Sequence, residues 1–291
     1  MSADKGRVDG EKHREQSPGG TAGYEIKSSM NRRGSRVVRP GRGMSSRERK
    51  IWGGAFLVFL LVIWELAARQ IGKAFILPGP GRVLMRLWEE RKEIFLTHLP
   101  ATMQVCLLGL VISIALGLAL AILMDLDPRI RRAVYPILTI SQTIPVMCIA
   151  PAFVLWFGYT VKMRVIVVVL VNFFSITVNV SDGLASTRES RMELLRSYGA
   201  SRWQCMTLLR LPGAWEHFLT ALKVAIPWTA VGAAVAEWLG APAGLGAYSR
   251  GCMLNLDAAG LLAPLVLLTA IALAAGGLVN AACKGRSAGR E

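Results

Sequence analysis

The side chains best able to ligate a metal or attack a substrate are few and scattered along this sequence. No two cysteines have the C-x-x-C spacing of a zinc or redox site, and no H-E-x-x-H motif is present. Isolated cysteines inside apolar runs behave as small hydrophobic residues. The sequence therefore predicts no metal site, no catalytic residue and no disulfide framework. The five cysteines and three histidines of the sequence are Cys106, Cys148, Cys205, Cys252, Cys283, His13, His98 and His217.

Nucleotide hydrolysis is not predicted either. A phosphate-binding loop requires the pattern G-x-x-x-x-G-K-[ST], in which backbone amides and the lysine hold the phosphates. Gly72-Lys73 lacks both the upstream glycine and the following Ser or Thr. We therefore expect this chain to bind no cofactor directly, and any use of ATP would need a separate subunit.

Uncharged polar side chains inside long apolar runs form a second group of candidates. Such residues usually face protein or water, because hydrocarbon offers them no hydrogen-bond partner. Two interpretations remain open for them, contact with a solute along a path and structural hydrogen bonds between helices. The candidates for lining a path are Gln142, Thr143, Asn172 and Asn179.

The elements that must position these residues are long apolar helices. Apolar residues make up 53% of 291 positions and the mean hydropathy is +0.43, both high for a soluble domain. A helix needs roughly 20 apolar residues to cross a bilayer. The sequence predicts an all-α, polytopic membrane protein with about six spans. The runs are Ile51–Ala68, Leu99–Met124, Ala133–Phe157 (interrupted by Pro136, Pro145 and Pro151), Met163–Val180, Phe218–Leu239 and Gly260–Ala282.

The formal net charge of +15 reflects membrane topology rather than nucleic-acid binding. Of 34 Lys and Arg residues, 13 lie within residues 1–50, and most others lie in short gaps between apolar runs. Basic residues in short loops remain on the cytoplasmic side. The basic clusters at 129–132, 188–210 and 284–290 then predict that both termini are cytoplasmic, with loops 158–162 and 240–259 outside. Segment 69–98 is also basic, although this assignment places it outside. Its charge is therefore an exception to the rule.

Four segments follow from these patterns. Residues 1–46 have too few aliphatic residues to bury surface and are predicted to be a disordered basic tail. Residues 47–98 hold the first span and an amphipathic helix from Arg82 to Phe95 at the outer surface, with Val83, Leu84, Leu87 and Trp88 facing lipid. Residues 99–283 form the remaining transmembrane core, and 284–291 a short cytoplasmic tail.

The loop between spans four and five carries its own helical pattern. Ser186 and Glu189 have capping-box spacing, as do Ser201 and Gln204. Gly199 lies where a left-handed C-terminal cap is expected. Segment 187–212 is therefore predicted to hold two short amphipathic helices joined by a glycine turn. From periodicity alone it is equally an interfacial connector or a plug for a partner's groove.

This loop resembles the signature EAA-xxx-G-x9-I-x-LP of ABC importer permeases. Glu193-Leu194-Leu195, Gly199 with Ala200, and Leu209, Leu211 and Pro212 match it in spacing, with Leu-Leu in place of Ala-Ala and Leu in place of Ile. The resemblance implies that the segment is the coupling helix, which docks in a groove of the ATPase subunit. Those eight residues are the expected contacts for coupling.

Other stretches resemble the nitrate, taurine and aliphatic-sulfonate branch of these permeases. They are Leu77-Pro78-Gly79-Pro80, Ile144-Pro145 with Ala150-Pro151, Trp156-Phe157-Gly158, Glu237-Trp238-Leu239-Gly240 and Gly244-Leu245-Gly246. The resemblance implies a homodimer in the bacterial inner membrane, in contact with lipid, an ATPase subunit and an extracytoplasmic solute-binding protein. The implied solute is an organosulfonate, taurine or nitrate. The alternative is a thiamine-precursor pyrimidine or a riboflavin-like solute.

A self-sufficient channel or secondary transporter is the competing class. Secondary transporters often have related halves and ionisable residues at the bilayer midplane. The sequence has neither an internal repeat nor a midplane carboxylate. An importer permease accounts better for the loop signature.

Overall fold

Helices account for all regular secondary structure in the described part of the chain, which in this computed structural model comprises residues 46–187 and 189–287. Two short π-helical turns, Ile94–His98 and Met206–Arg210, interrupt the α-helices. The α-helices are α1 (Ser46–Ile71), α2 (Pro80–Glu89), α3 (Arg91–Glu93), α4 (Leu99–Leu126), α5 (Pro128–Ser141), α6 (Val146–Phe157), α7 (Val161–Ala185), α8 (Glu189–Ser197), α9 (Arg202–Cys205), α10 (Leu211–Trp238), α11 (Leu245–Leu254) and α12 (Ala258–Ser287).

The predicted spans correspond to helices that are long and apolar enough to cross a membrane. Five continuous stretches qualify, and α5 with α6 makes a sixth if this bent pair is one span. The pair bends by 97° at residues 142–145. Of the three prolines predicted to interrupt this run, only Pro145 lies at the break, whereas Pro136 and Pro151 lie inside helices. The expected all-α membrane fold is confirmed.

Helix α7 lies at the centre of the bundle, with half of its apolar window buried. Helices α4 and α10 pack against it. Gly109 of α4 faces Val168 of α7, so close that a β-carbon on the glycine would collide with the valine. Such small residues allow helices to approach closely in lipid. Toward one end of α7, Ile176, Val180 and Leu184 form a buried cluster with Met206.

The two ends of the bundle differ in the elements that they contain. The coupling end contains α8 and α9, together with the C-terminal ends of α4 and α7. The opposite end carries the start of α4, the start of α7 and the connection from α10 to α11. This second end is called the clamp end, for the hydrogen-bonded cluster described below.

Several predicted boundaries differ from the structure. The predicted loop segment 187–212 ends at Pro212, yet this proline lies in the first turn of α10, where a missing N–H is tolerated. Val83 was expected to face lipid but is buried, whereas Leu84 and Trp88 are exposed. The predicted C-terminal tail begins inside α12, which continues to Ser287. Apart from Ser46, the predicted tail 1–46 lies outside the described residues.

Candidate functional site

The predicted glycine turn forms between α8 and α9. Gly199 has φ +76°, in the left-handed region that favours glycine. Its N–H donates to the carbonyl of Arg196 at 2.9 Å, and the N–H of Ala200 donates to the carbonyl of Leu195 at 3.1 Å. These two bonds are those of a Schellman motif, which satisfies carbonyls at the end of a helix. The turn therefore fixes the direction in which the chain leaves α8.

One of the two predicted capping boxes is present at the start of α9. The Ser201 hydroxyl accepts from the N–H of Gln204 at 3.2 Å, and the Gln204 side chain accepts from the N–H of Ser201 at 2.8 Å. At the other predicted box, the Ser186 hydroxyl donates to the carbonyl of Gly183 and so closes α7. The side chain of Glu189 lies outside the described residues.

The two short helices have an inner and an outer face. Met192, Cys205 and Met206 are buried against the bundle. The opposite face exposes large apolar side chains to the surroundings, and an apolar patch rimmed by polar residues often marks a protein interface. We call this face the coupling surface. It consists of Leu194, Tyr198, Trp203 and Leu208, each more than half exposed.

The residues of the signature are distributed over both faces. Glu193 and Leu194 are exposed, Leu195 is half-buried, and Gly199 with Ala200 forms the turn. Leu209 and Leu211 are half-buried and Pro212 is exposed, at the junction with α10. Glu193 and Leu194 are thus open to a partner, whereas Leu195, Leu209 and Leu211 pack partly against the chain itself.

Ion pairs join the coupling end to the bundle. Arg210, in the second π-helical turn, pairs with Asp125 near the end of α4, and the Asp125 side chain is largely buried. The Arg131 side chain lies 3.5 Å from Asp182 of α7, which also accepts from the Tyr135 hydroxyl at 3.2 Å. Arg210 therefore makes a direct charged contact between the end of the coupling segment and α4.

A cavity of about 470 Å³ lies where α5 and α6 bend, between that bend and helices α7 and α10. We call it the bend cavity. Its size falls in the range of roughly 300–1,000 Å³ that is typical of small-molecule sites. Polar groups come from Ser141, Gln142 and Ser175, and aromatic surface comes from Phe174 and Trp228. None of the side chains that line it is charged.

Of the four residues predicted to line a path, Gln142 lines the bend cavity. The Thr143 hydroxyl donates to the carbonyl of Ile140 at 2.7 Å, and the Asn179 amide donates to the carbonyl of Ser175 at 2.8 Å. Asn172 is buried and donates to the Thr229 hydroxyl at 2.8 Å, which joins α7 to α10. That contact has the geometry of the structural alternative, and the role of all four in transport stays a prediction.

A cluster of buried polar side chains holds the clamp end together. We call these residues the clamp: His98, Thr102, Arg164 and Glu237. Glu237 of α10 is fully buried, and one of its oxygens accepts from the Thr102 hydroxyl at 3.1 Å and from the N–H of Gly246 at 2.8 Å. This carboxylate therefore ties α10 to α4 and to the start of α11.

The other clamp residues bind the same connection from α10 to α11. The N–H of Gly244 donates to the His98 ring at 3.1 Å, and the N–H of Leu245 donates to the Thr102 hydroxyl at 2.8 Å. Arg164 of α7, itself buried, donates to the carbonyl of Ala243 at 3.1 Å. Side chains from α4, α7 and α10 and from the π-helical turn before α4 thus fix one short loop at successive backbone groups.

Sequence reasoning missed the clamp. Glu237 was identified only as part of the stretch Glu237-Trp238-Leu239-Gly240, and Arg164 lay unremarked within the apolar run Met163–Val180. The signal was available, because an ionisable residue inside a membrane segment usually has a partner and a role.

Of the cysteines, Cys252 lies on α11, outside the spans, where burial raises the pKa of its thiol and keeps it protonated.

A family model describes residues 91–283 as a binding-protein-dependent transport system inner membrane component. The match covers most of the chain, including the coupling segment, the bend cavity and the clamp. The chain belongs to this family. It is the permease subunit of an ABC importer, as the resemblance of the loop signature implied.

Three transport permeases are similar to this chain over most of their length. A formylaminopyrimidine transport permease of Halalkalibacterium halodurans is 46% identical over 75% of this chain and 87% of its own. A riboflavin transport permease of Chloroflexus aurantiacus is 32% identical over 66% and 72% of the two chains. The taurine transport permease of Escherichia coli is 29% identical over 69% and 75%.

Solved structures agree with the fold of the permease. The crystal structure of an amino acid ABC transporter with histidines superposes with a TM-score of 0.53 at 18% identity, covering 66% of this chain and 94% of that one. At that identity the likeness concerns the fold alone. The permease has an exposed coupling surface at one end, a buried hydrogen-bonded clamp at the other and an uncharged cavity between.

Proposed function

We propose that this permease carries an uncharged planar aminopyrimidine of the formylaminopyrimidine class. The observation that carries the proposal is the 46% identity to the formylaminopyrimidine permease, which extends over 87% of that protein. The taurine permease shares only 29%. The proposal thus takes the pyrimidine alternative of the sequence analysis in preference to a sulfonate or nitrate.

The chemistry of the bend cavity supports an uncharged solute. A sulfonate or nitrate that leaves water needs a cation or several strong donors, because burial of an unpaired charge is very unfavourable. The lining of the bend cavity offers aliphatic side chains, two aromatic rings and a few neutral polar groups. These groups suit a flat heterocycle that presents both an apolar face and a hydrogen-bonding edge.

The proposed assembly contains two copies of the permease, two ATPase subunits and an extracytoplasmic solute-binding protein. The exposed apolar side chains of the coupling surface support docking of an ATPase. The ATPase binds and hydrolyses ATP, and the permease itself holds no cofactor. Closure of the ATPases moves α8 and α9, and the pair of Arg210 with Asp125 passes that movement to α4.

The proposed orientation places the coupling end in the cytoplasm of a bacterium, with the chain in the inner membrane and both termini inside. The placement of arginine supports it. Arg191, Arg196, Arg202 and Arg210 lie in the coupling segment, whereas loop 158–162 at the clamp end carries only Lys162. Cytoplasmic loops are the ones enriched in Lys and Arg.

The test is reconstitution of the complete importer in liposomes with a panel of solutes. The panel contains formylaminopyrimidine, riboflavin, taurine, an aliphatic sulfonate and nitrate. We expect ATP-dependent uptake and stimulated ATP hydrolysis with the pyrimidine alone. Preferential uptake of taurine or riboflavin would refute the substrate class. Uptake that continues without ATP would refute the importer mechanism in favour of a secondary transporter.

A further inference from the structure

We propose that the bend cavity is a solute-binding site within the permease itself, in which Gln142 recognises the aminopyrimidine edge and Trp228 and Phe174 cover the ring faces. The inference rests on the proposed function, because it assumes a pyrimidine solute. It adds a second point of selection to the importer, separate from the solute-binding protein.

Gln142 is placed to act as the edge-reading group. It lies at the end of α5, where the bend interrupts the helix, and its backbone N–H is satisfied by the carbonyl of Leu138. Its side-chain amide is exposed to the cavity and has no hydrogen-bond partner among the described residues. One amide offers a carbonyl acceptor beside two N–H donors. That pattern complements a ring nitrogen beside an exocyclic amino group, as glutamine does with adenine.

The aromatic residues supply the faces of the site. Trp228 on α10 and Phe174 on α7 both line the cavity, and Trp228 is 54% exposed. The ring of Phe173 packs edge-on against Phe174, with centroids 5.2 Å apart, which restrains its orientation. Aromatic side chains bind flat bases by stacking whatever the substituents. The rings would therefore give affinity for the ring system, and Gln142 would select the amino group.

The proposal predicts a selectivity that a merely structural glutamine would not produce. The full-length permease in lipid nanodiscs, without solute-binding protein, is titrated with radiolabelled formylaminopyrimidine by equilibrium dialysis. A second titration uses an analogue in which a methyl group replaces the ring amino group. We expect the amino compound to bind roughly tenfold tighter, the discrimination of one good bidentate pair. Gln142→Leu should abolish that ratio and weaken the analogue less than the amino compound, because the analogue loses only the hydrogen bond to its ring nitrogen.

The aromatic variants test the other half of the site. Trp228→Leu should weaken both solutes by a similar factor, roughly tenfold, because stacking does not depend on the substituent. Trp228→Phe retains an aromatic face and should restore most of that binding. Matched controls are Gln70→Leu, which removes an exposed glutamine of α1 outside the cavity, and Trp156→Leu, which removes an exposed tryptophan of α6. Both controls should bind like the unmodified chain.

Each other result overturns a defined part of the proposal. If saturable binding is unchanged in both Gln142→Leu and Trp228→Leu, the solute binds elsewhere and the proposed site is refuted. Absence of saturable binding, with normal pyrimidine uptake by the complete importer, would refute the site and leave the proposed function intact. Absence of both binding and pyrimidine uptake would refute the proposed function together with the site.

Discussion

The left-handed conformation of Gly199 fixes the turn between α8 and α9. Its φ of +76° is unfavourable for any residue with a β-carbon, at about 1–2 kcal/mol. No atom lies within 4 Å of the place a β-carbon would occupy. The restriction therefore comes from the backbone alone, and a residue that tolerates the left-handed region should be accepted.

Gly199→Val is expected to spoil coupling, because a β-branched residue forces the Schellman turn out of its left-handed conformation. The direction of α9 relative to α8 then changes, and with it the coupling surface. Gly199→Asn is the matched control, since Asn visits this region more readily. The measurements are retention of the ATPase on purification and solute-stimulated ATP hydrolysis. A Val variant that retains both would remove the coupling-helix assignment.

Glu237 is fully buried, so its replacement is expected to lower the stability of the permease. Glu237→Leu leaves the N–H of Gly246 without its acceptor and removes the contact of the Thr102 hydroxyl with α10. A buried hydrogen-bonding group left without its partner typically destabilises by about 1–3 kcal/mol. We expect a marked fall in the thermal unfolding temperature of the detergent-solubilised permease.

Two further variants make the Glu237 prediction specific. Glu237→Gln keeps the shape and an acceptor, so its loss of stability should be smaller. Glu216→Leu removes an exposed carboxylate from the same helix and should leave the unfolding temperature unchanged. Equal effects of Glu237→Leu and Glu216→Leu would show that the clamp contributes nothing to stability.

Residue-scale features differed in how far sequence could predict them. The turn at Gly199 and the capping box of Ser201 with Gln204 are local patterns, and both formed as predicted. The clamp joins residues more than a hundred positions apart, such as Thr102 and Glu237. No local rule brings such residues together, and only the packing of α4 against α10 does so. The bend cavity likewise depends on three segments that are distant in sequence.

At the scale of elements, the link between the coupling segment and the bundle is a partly buried ion pair. Asp125 lies near the end of α4 and Arg210 just before α10, so the pair crosses between the two helices. Exposed ion pairs contribute little, but burial of the Asp125 side chain makes loss of its partner costly. Loss of either partner is therefore expected to weaken the junction between the coupling segment and α4.

Asp125→Leu is expected to lower solute uptake more than it lowers ATP hydrolysis, because α8 and α9 would then move without α4. The measurement is the number of solute molecules transported per ATP hydrolysed in liposomes. The charge exchange, Asp125→Arg with Arg210→Asp, re-forms the contact in reverse and should recover much of the ratio. An unchanged ratio in Asp125→Leu would show that coupling takes another route.

Apolar length predicted the elements well and their interruptions less well. Long runs identified the spans, because hydrocarbon thickness imposes helix length. Prolines alone did not locate the break, since Pro136 and Pro151 are accommodated inside helices while Pro145 lies at the bend. Pro212 lies in the first turn of α10, although the predicted loop segment ended there. A proline is compatible with the first turn of a helix and with a kink, and the sequence does not distinguish these outcomes.

At the scale of the whole molecule, charge and apolar surface divide the chain into regions. The family match begins at residue 91, so residues 1–44 lie well outside it. These residues are polar and basic and offer no apolar anchor for a transport role. Arg47, Arg49 and Lys50 differ from them because they directly precede the first apolar run. Basic residues at that place set the orientation of the following helix.

The two parts of the N-terminal region are expected to differ in their effect on insertion and transport. A chain that starts at Ser45 should insert normally and support uptake equal to that of the full-length importer, because it retains the three basic residues beside the first span. The same truncation with Arg47, Arg49 and Lys50 replaced by Gln should insert less well, because the charge bias across that span is lost. Insertion is measured by protease protection, and uptake by ATP-dependent solute accumulation. If the first truncation inserts normally yet fails to transport, residues 1–44 carry a specific function. A contact between these residues and another subunit would then be the next thing to test.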